Sequence, residues 1–423
     1  MIGGGVAGVT AAYYLQHKYD VTLIEQRQYV GGHTNTITIE DGPDAGMPVD
    51  TGFIVTNPLN YPYFQQFLRE LNVSVRLSDM SFGYCDRRDG FTYGTAALTG
   101  LLARKRNLLS PKLWALLQGM LHLNKKSLND LADGKMHGLS LGDYLTKAGY
   151  NRTVINFYLI PMGAAIWSTS PNEMLSYPAE AYFQFWKNHR LLQIFGRTIW
   201  QTVVGGSHAY IKAFLQQFPG KVEVGTPVQE IKRVVEGVEV LRKNGVCTTY
   251  DLAVIATHAD EAYQLLSDPT PLEKELLGAW NYSRNITYLH TDISHLPRRK
   301  RAWASWNFIR EQDASDQDPV AVTYHMNRLQ GLKTAQEYCV TLNPRRPIKP
   351  ELVIKEILYT HPHYNFSSLA TQSRLQELNG VNKTWFCGSY HGYGFHEDAV
   401  RSSVVVAKSM GVDKTLNSSF ETT

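Results

Sequence analysis

Three glycines near the start of the chain have the spacing of a phosphate-binding turn. Gly3, Gly5 and Gly8 form the pattern G-x-G-x-x-G in GGGVAG, directly ahead of a small, apolar segment that suits a helix. At this spacing the first glycine makes a tight turn, the second lets a pyrophosphate approach the backbone, and the third lets the helix lie close to a strand. The motif alone is a weak signal, and it predicts a dinucleotide site only together with its surroundings.

An acidic residue ends the strand that follows these glycines. The segment YDVTLIE, residues 19–25, is typical of a buried parallel strand and closes with Glu25. A carboxylate at that position accepts hydrogen bonds from a ribose, and it favours an unphosphorylated ribose, as in FAD or NAD. The two features together indicate a strand-helix-strand unit of the doubly wound type.

A second glycine pair comes directly after Glu25. In QRQYVGGHT, residues 26–34, Gly31 and Gly32 would bring backbone N–H groups to the phosphates, and an ordinary turn is the alternative interpretation. This extension resembles the one in FAD proteins rather than that in NAD proteins. The combination of both motifs therefore favours FAD.

Another glycine-rich stretch lies near the end of the chain. TWFCG, residues 384–388, reads as a strand that leads into SYHGYGFHEDA, residues 389–399, and a long apolar helix follows to about Met410. A glycine-rich crossing before a helix N-terminus offers backbone donors and a favourable dipole to a flavin pyrimidine. We expect this stretch to contact the reactive end of the cofactor.

Polar aromatic side chains in otherwise apolar strands are the candidates for the substrate side. Tyr324 and His325 are the first choice for catalytic residues. A single His or Tyr is more often a packed core residue than a catalyst, so this prediction rests on clustering. No Ser-His-Asp or metal-binding pattern is evident, and no metal is expected. The substrate-pocket candidates are Trp167, Tyr288, His290, Trp306, Asn307, Asn327, Tyr390 and Tyr393.

The composition limits the function classes. The 423 residues are 43% hydrophobic and 19% charged, and no stretch reaches the roughly 18 uninterrupted apolar residues that a membrane span needs. A formal net charge of +4 gives no general case for nucleic-acid binding. Two basic runs, residues 104–106 and 298–301, suit anionic lipid headgroups, although such short runs are more often solvated loops. Peripheral membrane contact is therefore a minor expectation.

The cysteines indicate a reducing compartment. Cys85, Cys247, Cys339 and Cys387 lie far apart without C-x-x-C spacing, which argues against a zinc site or a disulfide framework. No charged-then-apolar signal segment precedes the first motif, so we expect a cytoplasmic protein.

The order of motifs predicts two interleaved domains in an α/β fold. A Rossmann-like FAD-binding domain of the glutathione-reductase type would comprise residues 1–80, 205–265 and 380–415. A mixed α+β substrate domain would comprise residues 81–204 and 266–379. Only Met1 and Ile2 precede Gly3, whereas the first strand of such a sheet normally has four or five apolar residues, so we expect the natural start to lie upstream.

The motifs together resemble the superfamily of flavin-containing amine oxidases, protoporphyrinogen oxidases and phytoene desaturases. GGGVAG, Glu25, VGGHT, the Thr226-Pro227-Val228 turn and FCGSYHGYGFHEDAVRSS carry the resemblance over essentially the whole chain. More narrowly, PVDTGFIV, IPMGAAIWS, VVGGSHAYI and YHMNRLQGL resemble FAD proteins that are similar to the flavoprotein domain fused ahead of plant cyclopropane fatty acid synthases. That fusion implies a fatty-acid methyltransferase as a partner.

The resemblance implies roles for residues that match its motifs. Gly3, Gly5 and Gly8 would hold the diphosphate and Glu25 the adenosine ribose. No cysteine stands where covalently flavinylated amine oxidases have theirs, which implies noncovalent FAD. Ser389 follows Gly388 where relatives commonly carry an acid for the ribityl chain. The other implied contacts are Gly32, His33 and Thr34 with the phosphate and ribityl region, Val228 with the adenine, and Glu397, Asp398 and Ala399 with the flavin ring.

Three functions remain open from the sequence. The first is an FAD-dependent desaturase, reductase or redox-neutral isomerase that moves a hydride between flavin N5 and a long apolar substrate, foremost an unsaturated acyl chain. The second is an amine oxidase, although the lysine that often holds a water at the flavin of such enzymes is not identifiable. The third is a flavin-fold partner protein without turnover.

Overall fold

A computed structural model describes residues 1–95, 107, 109–192, 198–314 and 321–413. The basic run Arg104, Lys105 and Arg106 lies outside these residues. Within them, no helix combines the length and the apolar character that crossing a membrane requires.

The helices and strands are interspersed along the chain, with one run of helices from residue 111 to residue 188. The helices are α1 (Val6–Leu15), α2 (Pro62–Glu70), α3 (Pro111–Ala132), α4 (Leu141–Ala148), α5 (Arg152–Val154), α6 (Ile160–Trp167), α7 (Pro171–Ser176), α8 (Ala179–Asn188), α9 (His208–Gln217), α10 (Ala259–Leu265), α11 (Pro271–Leu277), α12 (Met326–Leu329), α13 (Phe366–Thr371) and α14 (His396–Ser409). A π-helical turn, Ile155–Leu159, joins α5 to α6. The 3₁₀ turns are Ile293–His295, Lys300–Ala302, Pro350–Leu352, Gln372–Leu378, Val381–Lys383 and Ser389–His391.

The strands are mostly short. They are β1 (Thr22–Ile24), β2 (Thr36–Thr38), β3 (Pro48–Asp50), β4 (Val55–Thr56), β5 (Val75–Leu77), β6 (Phe82–Asp86), β7 (Thr92–Gly94), β8 (Gln201–Val203), β9 (Lys221–Glu223), β10 (Val228–Arg233), β11 (Val238–Arg242), β12 (Cys247–Tyr250), β13 (Ala253–Ile255), β14 (Asn281–His290), β15 (Trp306–Arg310), β16 (Val322–His325), β17 (Cys339–Leu342), β18 (Val353–His363) and β19 (Thr384–Phe386).

A parallel sheet lies under the glycine-rich start. Strand β1 pairs with β9, and β13 pairs with β19, both in parallel. Ile2 forms parallel bridges to both Ile24 and Ile255, so the residues before Gly3 occupy the centre of this sheet. The Ile2 N–H donates to Val254 O at 2.9 Å, and Ile2 O accepts from Ala256 N at 2.7 Å. Two residues thus take the place of the expected first strand.

A separate seven-stranded sheet has the strand order β18-β14-β17-β16-β15-β6-β7. Strands β15 and β6 are parallel, and the other neighbours are antiparallel. One face of this sheet packs against the α5–α6 region, where Tyr84 lies 5.4 Å from Phe157 between ring centroids.

Two further groups of elements pack beside the parallel sheet. Strand β8 falls in the range predicted for the substrate domain, yet it pairs with β4 and β5 in a three-stranded sheet beside the nucleotide sheet. Helices α1 and α14 pack together, and Ser403 Oγ donates to Ala7 O at 2.8 Å. The first and last helices of the fold therefore meet beside the glycine-rich start.

Candidate cofactor and substrate site

A cavity of about 860 Å³ runs between the parallel sheet and the seven-stranded sheet. Segments from the beginning, middle and end of the chain line it. Of the residues singled out from the sequence, those on its wall are Gly3, Gly5, Glu25, Gly31, Gly32, His33, Trp167, Val228, Trp306, Tyr324, Gly388, Ser389, Tyr390, Tyr393 and Ala399.

The three motif glycines have different local surroundings. Gly3 has a φ of +99°, and a Cβ there would lie 2.8 Å from Ala256 O. A Cβ on Gly8 would lie 1.8 Å from Gly3 O, so only glycine fits where α1 meets the turn. A Cβ on Gly5 would meet no protein atom within 4 Å, because Gly5 faces the cavity. The predicted division of labour among the glycines agrees with these distances.

Backbone donors hold Glu25 in place on the cavity wall. Its Oε2 accepts from Gly4 N at 2.7 Å, and its Oε1 accepts from Arg27 N at 2.8 Å. Each carboxylate oxygen can accept more than one hydrogen bond, so both remain able to accept from a ligand hydroxyl. The contact between Glu25 and a ribose stays a prediction, and the fixed orientation of the carboxylate is compatible with it.

His33 belongs to a group of buried imidazoles on the same wall. Its ring stacks on Tyr359 at 4.9 Å and lies 5.4 Å from His361 and 6.1 Å from His258. Burial is the main cause that lowers the pKa of His33 to about 3, of His361 to about 3 and of His258 to about 4. His33 Nε2 is buried and has no hydrogen-bond partner among the described residues. A neutral imidazole nitrogen is therefore available on this wall.

Thr34 lies behind the cavity wall rather than on it. It is fully buried, and its hydroxyl bonds to the Tyr210 hydroxyl and to His396 Nε2, the latter at 3.0 Å. The His396 ring in turn stacks on Phe53 at 3.7 Å, and both His396 and Phe53 line the cavity. Thr34 thus positions His396, in place of the direct cofactor contact that the resemblance implied.

Glu397 and Asp398 turn away from the cavity, which corrects their expected position beside the flavin ring. The Glu397 carboxylate accepts from Tyr63 N at 3.0 Å and from Phe64 N at 2.9 Å, at the first turn of α2. Asp398 Oδ2 accepts from Tyr393 N and Phe395 N in the loop before α14. Glu397 thus satisfies N–H groups at the start of α2, Asp398 satisfies N–H groups of the loop before α14, and only Ala399 of the three lines the cavity.

The substrate candidates on β15 and β16 divide between the two faces of the sheet. Trp306 and Tyr324 face each other across these strands and line the cavity. Successive strand residues point to opposite faces, so Asn307 and His325 lie on the far side. His325 Nε2 bonds to Glu337 Oε2 at 2.7 Å, and Asn307 Oδ1 accepts from Ala304 N. His325 therefore does not reach the cavity, and its predicted catalytic role is wrong.

Three further candidates also lie away from the cavity. His290 is fully buried and bonds to Thr341 Oγ1 at 2.7 Å, while Tyr288 lies on the same face of β14 and interacts with Glu356. Asn327 bonds through its Nδ2 to Thr334 Oγ1 and through its Oδ1 to Tyr338 N. These side chains stabilise local structure and do not reach the site.

The structure adds wall residues that the sequence did not single out. Tyr158, Met162 and Ile166 project into the cavity from the π-helical turn and α6 at successive turns. Their spacing of four residues was visible in the sequence, but the extra residue of a π-helical turn carries no recognised pattern. Other such residues are Phe53, Ile54, Met120, Asn124, Phe185, His189, Trp200, His361 and Tyr364.

The residues at one end of the cavity suit FAD. The N-terminus of α1 faces it through Gly5, Val6 and Ala7, and the first N–H groups of a helix attract phosphate. Glu25 and the unpartnered nitrogen of His33 lie on the same wall, and Ala399 brings the start of α14 to it. A volume of about 860 Å³ is within the range of natural cofactor pockets.

The model of the flavin-containing amine oxidoreductase family matches residues 6–354. The chain belongs to this family. It is an FAD-dependent oxidoreductase, and the expectations of FAD and of an amine oxidase-like fold are confirmed. The narrower likeness to the plant-synthase-fused domain stays a prediction, as do the cytoplasmic location and the domain limits.

Solved structures share the fold over nearly the whole chain at low identity. A fatty acid isomerase from P. acnes that produces CLA is 15% identical with a TM-score of 0.66, covering 96% of this chain and 97% of that one. A redesigned putrescine oxidase is 16% identical with a TM-score of 0.70, covering 97% of both chains. Cyclohexylamine oxidase from Brevibacterium oxydans IH-35A is 15% identical with a TM-score of 0.68, covering 97% of this chain and 98% of that one. No curated protein matches the chain by sequence.

Proposed function

We propose that this flavoenzyme acts on a long apolar substrate, an unsaturated acyl chain, as a desaturase, reductase or redox-neutral isomerase. The observation that carries the proposal is the chemistry of the cavity wall beyond the nucleotide end. There the wall is formed by aliphatic and aromatic side chains, among them Met80, Phe82, Met120, Tyr158, Met162, Ile166, Trp167, Phe185, Trp306, Tyr324 and Leu342. Such a surface stabilises a hydrocarbon by removing its apolar area from water.

The charged wall residues support an apolar substrate over an amine. Among the lining residues that the structure describes, the carboxylates are Glu25 and Glu261, and Arg27 interacts with both of them at the nucleotide end. The other arginine and lysine residues in that set are Arg190 and Lys243, and the backbone N–H of Lys243 donates to Pro227 O beside Val228, the residue predicted to contact the adenine. An alkylammonium group in the apolar part would therefore lack a carboxylate partner, and burying such a charge unpaired is costly.

The bound FAD supplies the hydride acceptor or donor at N5, and the chain's own residues orient the substrate and exclude water. Burial raises the pKa of Tyr324, so its hydroxyl stays protonated and donates to Ala165 O at 3.5 Å. In this proposal Tyr324 is a fixed side chain of the cavity wall that contacts the substrate. A hydride-transfer reaction needs no protein nucleophile, which fits this apolar environment.

The printed names of the structural neighbours include both a fatty acid isomerase and amine oxidases, so one experiment compares the two substrate classes. Purified protein is mixed anaerobically with unsaturated fatty acids or with primary amines, and the flavin absorbance near about 450 nm is followed. Bleaching by the acyl compounds alone supports a desaturase. An isomerase leaves the absorbance unchanged at the end, so lipid products are analysed in parallel for a moved double bond. Bleaching by amines alone contradicts the proposal.

Failure to convert either substrate class would point to a different function. A protein that binds FAD but converts neither substrate class, with its flavin oxidised or first reduced by dithionite as a reductase requires, would favour the partner role without turnover. A fatty-acid methyltransferase as partner remains a proposal, and co-purification of the two proteins would test it.

A further inference from the structure

Helix α3 separates the cavity from solvent. From its inner side, Met120 and Asn124 line the cavity. On its outer side, Trp114 and Leu121 are each 57% exposed, although both are large hydrophobic side chains. Their positions are seven apart in sequence, which places both side chains on the same stripe of the helix. Leu109, just before the helix, is 85% exposed and extends the apolar stripe.

Of the lysines on α3, Lys125 lies on this outer side. Within Pro111–Ala132 the ionisable lysines are Lys112, Lys125 and Lys126, and the acid is Asp130, which is only 4% exposed. Lys126 pairs with Asp130 at 2.8 Å, and Lys112 pairs with Asp89 in the β6–β7 turn. Lys125 is exposed on the stripe side. The exposed surface of α3 therefore combines a tryptophan and leucines with basic groups.

A second basic segment contacts the same hairpin as α3. The exposed run at 298–301 is followed by Ala302, and Ala302 O would lie 3.1 Å from a Cβ on Gly94, at the end of β7. The β6–β7 hairpin thus touches the start of α3 through Asp89 and the end of the basic run through Gly94. The two basic segments therefore contact opposite ends of one hairpin.

We propose that the outer stripe of α3, formed by Leu109, Trp114, Leu121 and Lys125, docks on a lipid surface that contains anionic headgroups. Tryptophan favours the boundary between headgroups and acyl chains, and lysines beside it are attracted to anionic lipid. A symmetric contact with a second copy of the chain would bring one Lys125 towards the other, which is why the charge favours anionic lipid. Docking here places the helix that lines the cavity against the bilayer, so an acyl substrate leaves the bilayer close to the cavity. This purpose rests on the proposed function, whereas the docking itself does not.

The test measures binding of the FAD-loaded protein to vesicles by co-sedimentation. Vesicles of phosphatidylcholine with phosphatidylserine should bind the protein, and phosphatidylcholine alone or high salt should weaken binding. The double variant Trp114→Gln/Leu121→Gln should lose about tenfold in affinity, since two apolar anchors are removed. Val235→Gln is the matched control, because Val235 is 91% exposed on the β10–β11 turn, and it should bind like the wild type.

A charge variant makes the test independent of the double variant's folding. Lys125→Glu should weaken binding to phosphatidylserine vesicles with no change in flavin absorbance. The proposal is overturned if the wild type does not sediment with these vesicles, or if folded W114Q/L121Q or K125E binds as the wild type does. It is also overturned if light scattering shows a dimer that W114Q/L121Q dissociates. Conversion of a detergent-dispersed acyl substrate is measured separately, so loss of docking and loss of the proposed activity are distinguishable.

Discussion

Trp306 and Tyr324 stand opposite each other on antiparallel strands, and their rings meet edge to face with centroids 4.9 Å apart. Both side chains line the cavity, and the Trp306 indole nitrogen is buried with no hydrogen-bond partner in the described parts of the chain. The pair forms a fixed aromatic surface, since an edge-to-face arrangement stabilises both ring orientations. A substrate in the apolar half of the cavity is expected to contact it.

Replacing this surface should weaken substrate binding. Trp306→Ala removes a large apolar contact area, so we expect the KM for an acyl substrate to rise about tenfold or more. The measurement is the initial rate of conversion against substrate concentration. His325→Gln is the control, because His325 points to the other face of the sheet, and its KM should change less than about twofold. A large loss in H325Q with an unaffected W306A would contradict the assignment of faces.

Gly5 and Gly8 should respond differently to the same small change. Gly5→Ala adds a methyl group that meets only the cavity, so the apoprotein should melt normally while FAD affinity falls by about tenfold. Gly8→Ala places its methyl group against Gly3 O, so we expect a loss of about 2–4 kcal/mol in the free energy of unfolding. FAD titration and thermal melts measure both. Equal melting temperatures for the two variants would argue against the close approach of α1 to the turn.

A buried histidine pair should make the fold sensitive to acid. Burial is the main cause that lowers the pKa of His290 from 6.5 to about 3 and that of His295 to about 4. Between these values and about pH 6.5 the unfolded chain binds more protons, so stability is present above that range and falls as the pH falls. Each histidine contributes at most about 1.4 kcal/mol per pH unit.

Urea unfolding across this pH range checks the effect. The acid-side slope should be shallower in His290→Gln than in the wild type, and the exposed residue His17 provides the control variant His17→Gln. Identical slopes in wild type and H290Q would show that His290 is not the buried neutral group.

Glu397 should matter for stability and not for the flavin environment. Glu397→Ala leaves the N–H groups of Tyr63 and Phe64 without their acceptor, and we expect the free energy of unfolding to fall by about 1–3 kcal/mol. The flavin absorption maximum should stay unchanged, because the side chain points away from the cavity. A shifted spectrum at unchanged stability would restore the role first expected from the sequence.

Much of the cofactor site could be predicted because its constraints are local. Gly3 has a left-handed backbone, Gly8 touches the carbonyl of Gly3, Gly5 leaves space on the cavity side, and Glu25 ends the adjoining strand. These requirements act over a few residues and leave a recognisable spacing. The same holds for Gly388 and Ala399, which flank the start of α14.

The substrate side could not be predicted as well, because its geometry depends on distant partners. Adjacent strand residues point to opposite faces, yet the sequence alone does not say which face meets the cavity, and so His325 was chosen together with Tyr324. The role of Glu397 was hidden for a similar reason. Its partners lie in α2, more than three hundred residues earlier in the chain.

The contact between Ser403 and Ala7 O has a consequence for biosynthesis. A ribosome produces α1 long before α14, and until α14 has been made the side of α1 that packs against it stays uncovered. Long-range closure of this kind is slow and exposes apolar surface while the chain grows. Stable flavin loading must therefore wait until α14 has been made, and the nascent chain is a natural client for chaperones during that interval.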